Sequence, residues 1–130
     1  MGSFTSIKSN IDFKKVYNAH RSRANKYLVM YVLENHLDMN RLGISVSKKV
    51  GNSVVRHRLT RLIREAYRLH EEEFNSGLDI VVVARTSANP QNEEKKSLKC
   101  ADIESALLHL AKLHKILSVE QNENNLNRCD

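Results

Sequence analysis

The centre of the chain has the pattern of a β-strand, an amphipathic helix and a second β-strand, and this order restricts the fold more than any other feature. Residues 41–50 alternate between apolar side chains and small or polar ones, as in a strand with one buried face. Asn52 or Ser53 can cap a helix that runs to about Phe74. Residues 78–85 contain a continuous β-branched run, Ile80–Val83, which is typical of a buried strand. These three elements predict a mixed sheet covered by helices.

The flanking segments add further elements to the same domain. Residues 9–20 are predicted to form a first helix, residues 23–25 a short strand and residues 27–33 a longer one. A last amphipathic helix is predicted over residues 94–117. Its apolar stripe comprises Ile103, Ala106, Leu107, Leu110, Leu113 and Leu117. The expected fold is α+β, a single-domain α/β sandwich with the order α-β-β-β-α-β-α and a mixed sheet.

The domain is expected to span residues 1–117, and the polar, Asn-rich residues 118–130 are expected to form a disordered tail. No apolar run approaches the roughly 18 residues that cross a bilayer. The first residues also lack the pattern of a signal peptide. We therefore expect a cytoplasmic protein without a membrane-spanning segment. The apolar side of the predicted central helix belongs to a folded core flanked by two strands, so we expect no membrane partner either.

The positive charge is concentrated in the central segment. The net charge of the whole chain is +6, whereas residues 41–68 carry eight lysines and arginines against one acid, Glu65, a net charge of +7. Concentrated positive charge attracts polyanions and speeds their capture. Nucleic acid and an anionic membrane surface are both compatible with this feature taken alone.

The predicted central helix separates these charges from its apolar residues. At about 100° per residue, one side carries Val55, Leu59, Leu62, Ile63, Ala66 and Leu69. The other side and its margins carry Arg56, His57, Arg58, Thr60, Arg61, Arg64 and Arg68. Arginine presents a planar fork that fits phosphate oxygens, and the repulsion among five like charges is relieved by a bound anion. Most charged helix faces are simply solvated, but such solvated faces mix acids with bases, whereas Glu65 is the only acid in this segment. The pattern therefore favours RNA or DNA binding.

The segment LGISVSKKVGNSVVRHRLTRLIREAYR resembles the signature of the bacterial ribonuclease P protein family, which combines an SKK-x-G segment with an RNR-type motif. The resemblance extends to DFKKVY upstream and DIVVVAR downstream, and it covers about residues 8–115. His57 and Thr60 depart from the family's usual Asn and Lys. His57 still offers a donor and a ring, whereas Thr60 removes one charge from the face.

The resemblance implies a left-handed βαβ crossover through the arginine helix, although physics alone favours a right-handed one. It also implies that a catalytic RNA hydrolyses precursor tRNA with Mg²⁺ as cofactor. The protein would then be an accessory subunit that binds this RNA and precursor tRNA without another protein partner. The RNA-binding residues implied by the motif are Lys48, Lys49, Arg56, His57, Arg58, Arg61, Arg64 and Arg68.

The resemblance further implies that the single-stranded 5′ leader of precursor tRNA lies in a cleft between the first helix and the sheet. Phe13 and Tyr17 lie one helical turn apart, and Tyr31 on a predicted strand offers a third ring. Unpaired bases stack on such rings for roughly 1–3 kcal/mol each. The alternative is that Phe13 and Tyr17 only pack the first helix onto the sheet.

The sequence contains no recognisable autonomous active site, so no catalytic residue and no metal ligand are predicted in the protein itself. A metal-independent nuclease that uses His57, a general RNA-binding module and an adaptor for an acidic protein are the alternatives. The acids Glu71–Glu73 are predicted to be a solvated helix end, because three consecutive residues point in different directions. Selectivity for one structured RNA would separate the RNA-binding alternatives.

Overall fold

The computed structural model describes residues 4–88 and 99–117. Its elements are β1 (Phe4–Ser6), α1 (Asn10–Asn18), β2 (Ser22–Ala24), β3 (Leu28–Glu34), β4 (Asn40–Ser45), α2 (Ser53–His70), β5 (Leu78–Ala84) and α3 (Cys100–His114). Short 3₁₀ turns follow α2 at Glu71–Glu73 and β5 at Thr86–Ala88. This is the predicted α+β order, with one unpredicted strand, β1, added before the first helix.

The five strands form one mixed sheet in the order β1-β4-β5-β3-β2. β4 is parallel to both β1 and β5, whereas β3 is antiparallel to β5 and to β2. β5 lies in the centre of the sheet and is almost wholly buried, which explains its continuous β-branched run, Ile80–Val83. Because α2 connects the parallel neighbours β4 and β5, the predicted βαβ crossover is present. Its left hand stays a prediction from the family resemblance.

Helices cover both faces of the sheet. α2 and α3 pack on one face, where Leu59 and Leu107 join the main core with Ile80 of β5. α1 packs on the other face, where Val16 is fully buried in a second cluster with Val81 of β5. Successive side chains of a strand point to opposite faces, so β5 supplies both clusters. The surfaces beside α1 and α2 are therefore separated by the sheet.

β4 is shorter than predicted, since the strand was expected to reach Val50 but ends at Ser45. The N–H of Val50 donates to the carbonyl oxygen of Ser47 at 3.0 Å in a turn. Val50 is buried, so it reaches the core from the turn and not from the strand. Lys48 and Lys49 consequently lie in the turn before α2.

The end of α3 also differs from the prediction. Lys115 adopts a left-handed conformation with φ of 60° and ends the helix. The chain then turns so that Ile116 is buried while Leu113 is 39% exposed, and the assignment of Leu113 to the core stripe is therefore wrong. The start of the predicted helix, residues 94–98, and the predicted tail, residues 118–130, lie outside the described residues.

The prediction of a solvated acidic helix end is wrong for Glu73. The 3₁₀ turn after α2 directs this side chain inward, where Oε2 lies 3.0 Å from Nδ1 of His70. The other ring nitrogen of His70 contacts Glu104 of α3. All three side chains are at most 5% exposed, so they form a buried cluster between α2 and α3.

Candidate nucleic-acid interface

α2 begins at a side-chain cap and buries its apolar side. The Oδ1 atom of Asn52 accepts a hydrogen bond from the N–H of Val55 at 3.0 Å. Leu59, Ile63 and Ala66, which belong to the predicted apolar side, are buried. This confirms the amphipathic helix predicted from the periodicity. The opposite side of α2 consequently faces outward.

The outward side of α2 carries the predicted basic residues. The exposed ones are His57, Arg61, Arg64 and Arg68, and the partly buried residues at the margins are Arg56, Arg58 and Thr60. The hydroxyl of Thr60 donates to the carbonyl oxygen of Arg56 at 2.9 Å, so this side chain is used within the helix. The first turn of α2 contains no acid. The face is therefore strongly positive from the first turn onward.

The arginines of α2 differ in whether they already have a partner. Arg68 forms an ion pair with Glu65 at 2.6 Å, and its hydrogen bond lowers the pKa of Glu65. The Nε–H of Arg56 donates to a carbonyl oxygen of the preceding loop at 3.2 Å. Within residues 4–88 and 99–117, Arg61 and Arg64 form no ion pair, and both are exposed. These two arginines are the most available to an external anion.

A groove of about 540 Å³ opens beside the first turns of α2. It is lined by Ser53, Val54, His57, Arg58 and Arg61. Val54 is 75% exposed and gives the groove an apolar wall beside its cations. Lys48 and Lys49 are exposed in the turn that leads into α2. Most of the predicted basic residues therefore gather around the N-terminal half of the helix, where the helix dipole adds positive potential, whereas Arg64 and Arg68 lie in its C-terminal half.

The three predicted aromatic residues form a continuous surface on the other side of the sheet. The ring centroids of Phe13 and Tyr17 are 6.2 Å apart, and those of Tyr17 and Tyr31 are 4.9 Å apart with an edge-to-face geometry. All three rings are half-buried against the cluster around Val16. A Cβ atom on Gly43 would lie 2.8 Å from Cζ of Phe13, so the glycine leaves room for this ring. The rings thus pack α1 onto the sheet and also remain partly accessible.

An ion-pair network holds α1 against the same face. Arg41 of β4 donates to both carboxylate oxygens of Asp79, at 2.8 and 2.6 Å, and to Asp12 of α1 at 3.3 Å. Burial raises the pKa of Asp79, but the hydrogen bonds from Arg41 and Asn35 and the charge of Arg41 together lower it by a larger amount. The net shift of this pKa is therefore downward. Arg41 therefore belongs to the anchoring of α1, although it was counted in the basic segment.

Tyr67 of α2 is buried, although it was not among the predicted apolar residues of the helix. The Nδ2–H of Asn40 donates to the Tyr67 hydroxyl oxygen at 2.9 Å, and burial raises the pKa of Tyr67 to about 12. The signal was present, because Tyr67 follows Ile63 by four positions and shares its side of the helix. His70 follows Ala66 at the same spacing and is buried for the same reason.

The predicted residues thus occupy two surfaces, a basic one around α2 and an aromatic one beside α1, on opposite faces of the sheet. Among the described residues, no group of three or more His, Cys, Asp or Glu side chains is placed to hold a metal ion. None of the described helices is long and apolar enough to cross a membrane.

The chain matches the model of one protein family, described as Ribonuclease P, over residues 1–111. It is 58% identical over 120 residues to the ribonuclease P protein component of Lachnoclostridium phytofermentans, a match that covers 92% of this chain and 97% of that protein. It is 47% identical over 118 residues to the protein of the same name from Alkaliphilus metalliredigens, covering 91% of this chain and 100% of the relative.

Solved structures are also similar over most of the chain. The RNase P protein of Staphylococcus aureus has a TM-score of 0.73 at 38% identity, with 87% of this chain and 97% of that chain covered. The RNase P protein of Thermotoga maritima has a TM-score of 0.73 at 30% identity, with 83% and 96% covered. The sequence comparisons and the structure comparisons therefore both show a likeness that covers most of this chain.

Proposed function

The chain belongs to the ribonuclease P protein family, and from this premise we propose that it is the RNA-binding subunit through which ribonuclease P recognises its catalytic RNA and precursor tRNA. As a ribonuclease P protein component, it is a subunit of an endoribonuclease with a role in tRNA 5′ processing. The finer proposal assigns one RNA partner to each of the two surfaces described above.

The basic surface around α2 is assigned to the catalytic RNA. The observation that carries this assignment is the exposure of Arg61 and Arg64 without an ion pair in the described part of the chain. A guanidinium group binds two phosphate oxygens with a fixed geometry, which suits the backbone of a folded RNA. Lys48 and Lys49 extend the surface at the start of the helix. Each phosphate contact is expected to add about 0.7 to the slope of log affinity against log salt.

The aromatic surface is assigned to the single-stranded 5′ leader of precursor tRNA. Phe13, Tyr17 and Tyr31 offer partly accessible rings on which unpaired bases can stack. The sheet separates this surface from α2, so the catalytic RNA and the leader do not compete for the same residues. One domain can therefore bind both RNAs at once.

The chemistry is assigned to the RNA subunit, as the family resemblance implies. Mg²⁺ would serve there to support hydrolysis of the phosphodiester, and no residue of this chain is assigned a catalytic role. The protein would act in the cytoplasm and would need no protein partner. Its contribution is binding and positioning of two RNAs.

Reconstitution with a bacterial ribonuclease P RNA tests the proposal. At low Mg²⁺, the protein is expected to restore cleavage of precursor tRNA at the 5′ end of the mature sequence, because its cations replace part of the screening that Mg²⁺ provides. Cleavage is scored on gels with and without the protein. A folded protein that restores no cleavage with several such RNAs would support a general RNA-binding module instead.

Replacement of Tyr17 by alanine is expected to weaken the binding of leader-bearing precursor tRNA to the reconstituted holoenzyme. One lost stacking contact corresponds to roughly 1–3 kcal/mol, which is about a five- to 150-fold rise in Kd. Binding of mature tRNA, which has no leader, should change little. Fluorescence titration of both RNAs measures the difference.

Tyr17→Phe is the control, since it keeps a ring that packs against Tyr31 while removing the hydroxyl. It is expected to bind precursor tRNA about as well as the wild type. Equal losses for precursor and mature tRNA in Tyr17→Ala would show that the leader does not contact this surface.

A further inference from the structure

A second basic groove lies at the β2 edge of the sheet and shares no lining residue with the two surfaces already described, although Ser22 pairs with Tyr31 of the aromatic surface. It has a volume of about 460 Å³ and lies between the segment that enters β2 and the C-terminal end of α3. Its lining comprises His20, Arg21, Ser22, Arg23, Leu113, His114 and Lys115. Five of these seven side chains are His, Arg or Lys, and none is acidic. The groove therefore concentrates positive charge from two separate elements.

The geometry of the groove is held by backbone interactions. The carbonyl oxygen of Arg21 accepts a hydrogen bond from the N–H of Val32 at 3.1 Å, which ties the entry of β2 to β3. The Nε2–H of His114 donates to the carbonyl oxygen of Met30 at 2.9 Å, so the ring is fixed and Nδ1 is the nitrogen that gains or loses a proton. The arginine side chains are exposed and free to close on a ligand.

The cations of this groove are not neutralised by neighbouring acids. Arg21 and Arg23 form no ion pair within the described ranges. Burial lowers the pKa of His114, the hydrogen bond to Met30 opposes this shift, and the charges of Arg21 and Arg23 lower the pKa further. Glu34 lines an adjoining groove of about 420 Å³ that shares Arg21, His114 and Lys115, but among the ion pairs of the described residues it has none with Arg21. The repulsion between the charges of Arg21 and Arg23 is relieved when an anion binds.

The dipole of α3 accounts for only part of the cluster. A helix C-terminus attracts cations, which is sufficient reason for His114 and Lys115 at the end of α3. Arg21 and Arg23 come from the β2 segment and do not belong to that helix. Leu113, 39% exposed, adds an apolar wall that a nucleotide can cover while its phosphate contacts the arginines. The groove thus offers a nucleotide an apolar contact in addition to its phosphate-binding cations.

We infer that the groove at the β2 edge binds a backbone phosphate of RNA, as a third RNA contact of this protein. The identification of the polyanion as RNA rests on the proposed function. The phosphate can belong to the catalytic RNA or to precursor tRNA, and binding measured separately with each RNA distinguishes these two sources. The ligand chemistry is the same in both cases, namely a phosphodiester held by two guanidinium groups.

Arg21→Ala/Arg23→Ala tests the inference by the salt dependence of binding. Fluorescence anisotropy gives the affinity of the full chain for a bacterial ribonuclease P RNA and, in the holoenzyme, for precursor tRNA over a range of salt concentrations. Loss of the one phosphate that the two arginines neutralise together is expected to reduce the log–log slope for one of these RNAs by about 0.7. The control Lys14→Ala/Lys112→Ala removes the same charge from exposed positions outside the groove and is expected to keep the slope within about 0.2 units. Unchanged slopes for both RNAs in the arginine variant would overturn the inference, even if the wild type binds both.

Titration of His114 with inorganic phosphate tests the groove without RNA. Phosphate between the arginines should raise the pKa of His114 in the wild type, followed by NMR of the imidazole protons, because it neutralises the charges that lower this pKa. In Arg21→Ala/Arg23→Ala the pKa should start higher and respond little to phosphate. A wild-type pKa that does not respond would refute phosphate binding here. Failure of the wild type to bind either RNA would instead refute the proposed function, and the phosphate titration would still decide whether the groove takes an anion.

Discussion

Replacement of both Arg61 and Arg64 by alanine is expected to remove most of the protein's effect on precursor tRNA cleavage at low Mg²⁺. Both side chains are exposed on α2 and form no ion pair in the described part of the chain. A charge-assisted hydrogen bond contributes about 1.5–3 kcal/mol, so two lost contacts should weaken binding of the catalytic RNA by about 10²- to 10⁴-fold. Cleavage assays at a fixed protein concentration and direct RNA titrations measure the two effects.

Two control variants separate the contribution of guanidinium geometry from that of charge. Arg61→Lys/Arg64→Lys keeps the charge but loses the planar fork, so it should keep the salt slope while losing part of the affinity. Lys14→Ala/Lys112→Ala removes two exposed charges from other helices and should retain nearly all of the rescue. Circular dichroism verifies that each variant is folded. If the Arg61→Ala/Arg64→Ala variant restored precursor tRNA cleavage as well as the wild type does, the catalytic RNA would not bind through these residues.

The amphipathic helix was predictable because its signal is local. Apolar residues at three- and four-residue spacing define the buried side of α2, and the basic residues then necessarily lie on the other side. The exposure of Arg61 and Arg64 follows from that periodicity. Partners of individual arginines depend on the three-dimensional arrangement, and the role of Arg41 in anchoring α1 through Asp79 required the register of β4 against β5.

The aromatic surface was predictable only in part. The spacing of Phe13 and Tyr17 places both on one side of a helix, but the contact with Tyr31 depends on how α1 crosses the sheet. The close approach of Phe13 to Gly43 likewise joins residues that are distant in sequence. A three-residue strand such as β1 has too few positions to show a period, and it forms because β4 offers a parallel edge.

The buried cluster of His70, Glu73 and Glu104 was missed because its residues are polar, and polar residues are expected at the surface. A buried charged group is tolerated when it is paired, and here each ring nitrogen of His70 contacts a carboxylate. The two glutamates come from the 3₁₀ turn after α2 and from α3. No periodicity in one segment reveals a pairing of this kind, because the partners meet only when the helices are docked.

Glu104→Ala is expected to cause the largest loss of stability among the single substitutions considered. Glu104 is 0% exposed, and its removal leaves one buried nitrogen of His70 without this partner. Truncating a fully buried side chain and leaving its partner without that hydrogen bond is expected to cost about 3–5 kcal/mol, against a total stability of about 5–15 kcal/mol for a domain of this kind. For this chain length the loss corresponds to a decrease of roughly 10–20 °C in Tm. Urea unfolding followed by circular dichroism measures the free energy directly.

Glu104→Gln and Ser105→Ala are the matched controls on the same helix. Glutamine keeps the volume of the side chain and a hydrogen-bonding group toward His70, so a smaller loss of about 1–2 kcal/mol is expected. Ser105 is exposed, and its replacement should change the free energy of unfolding by less than about 0.5 kcal/mol. A loss below about 1 kcal/mol in Glu104→Ala would contradict a stabilising role for the cluster. A large loss would mean that the docking of α3 against the C-terminal end of α2 depends on this buried polar cluster. The orientation of the arginine face would then depend on the same cluster.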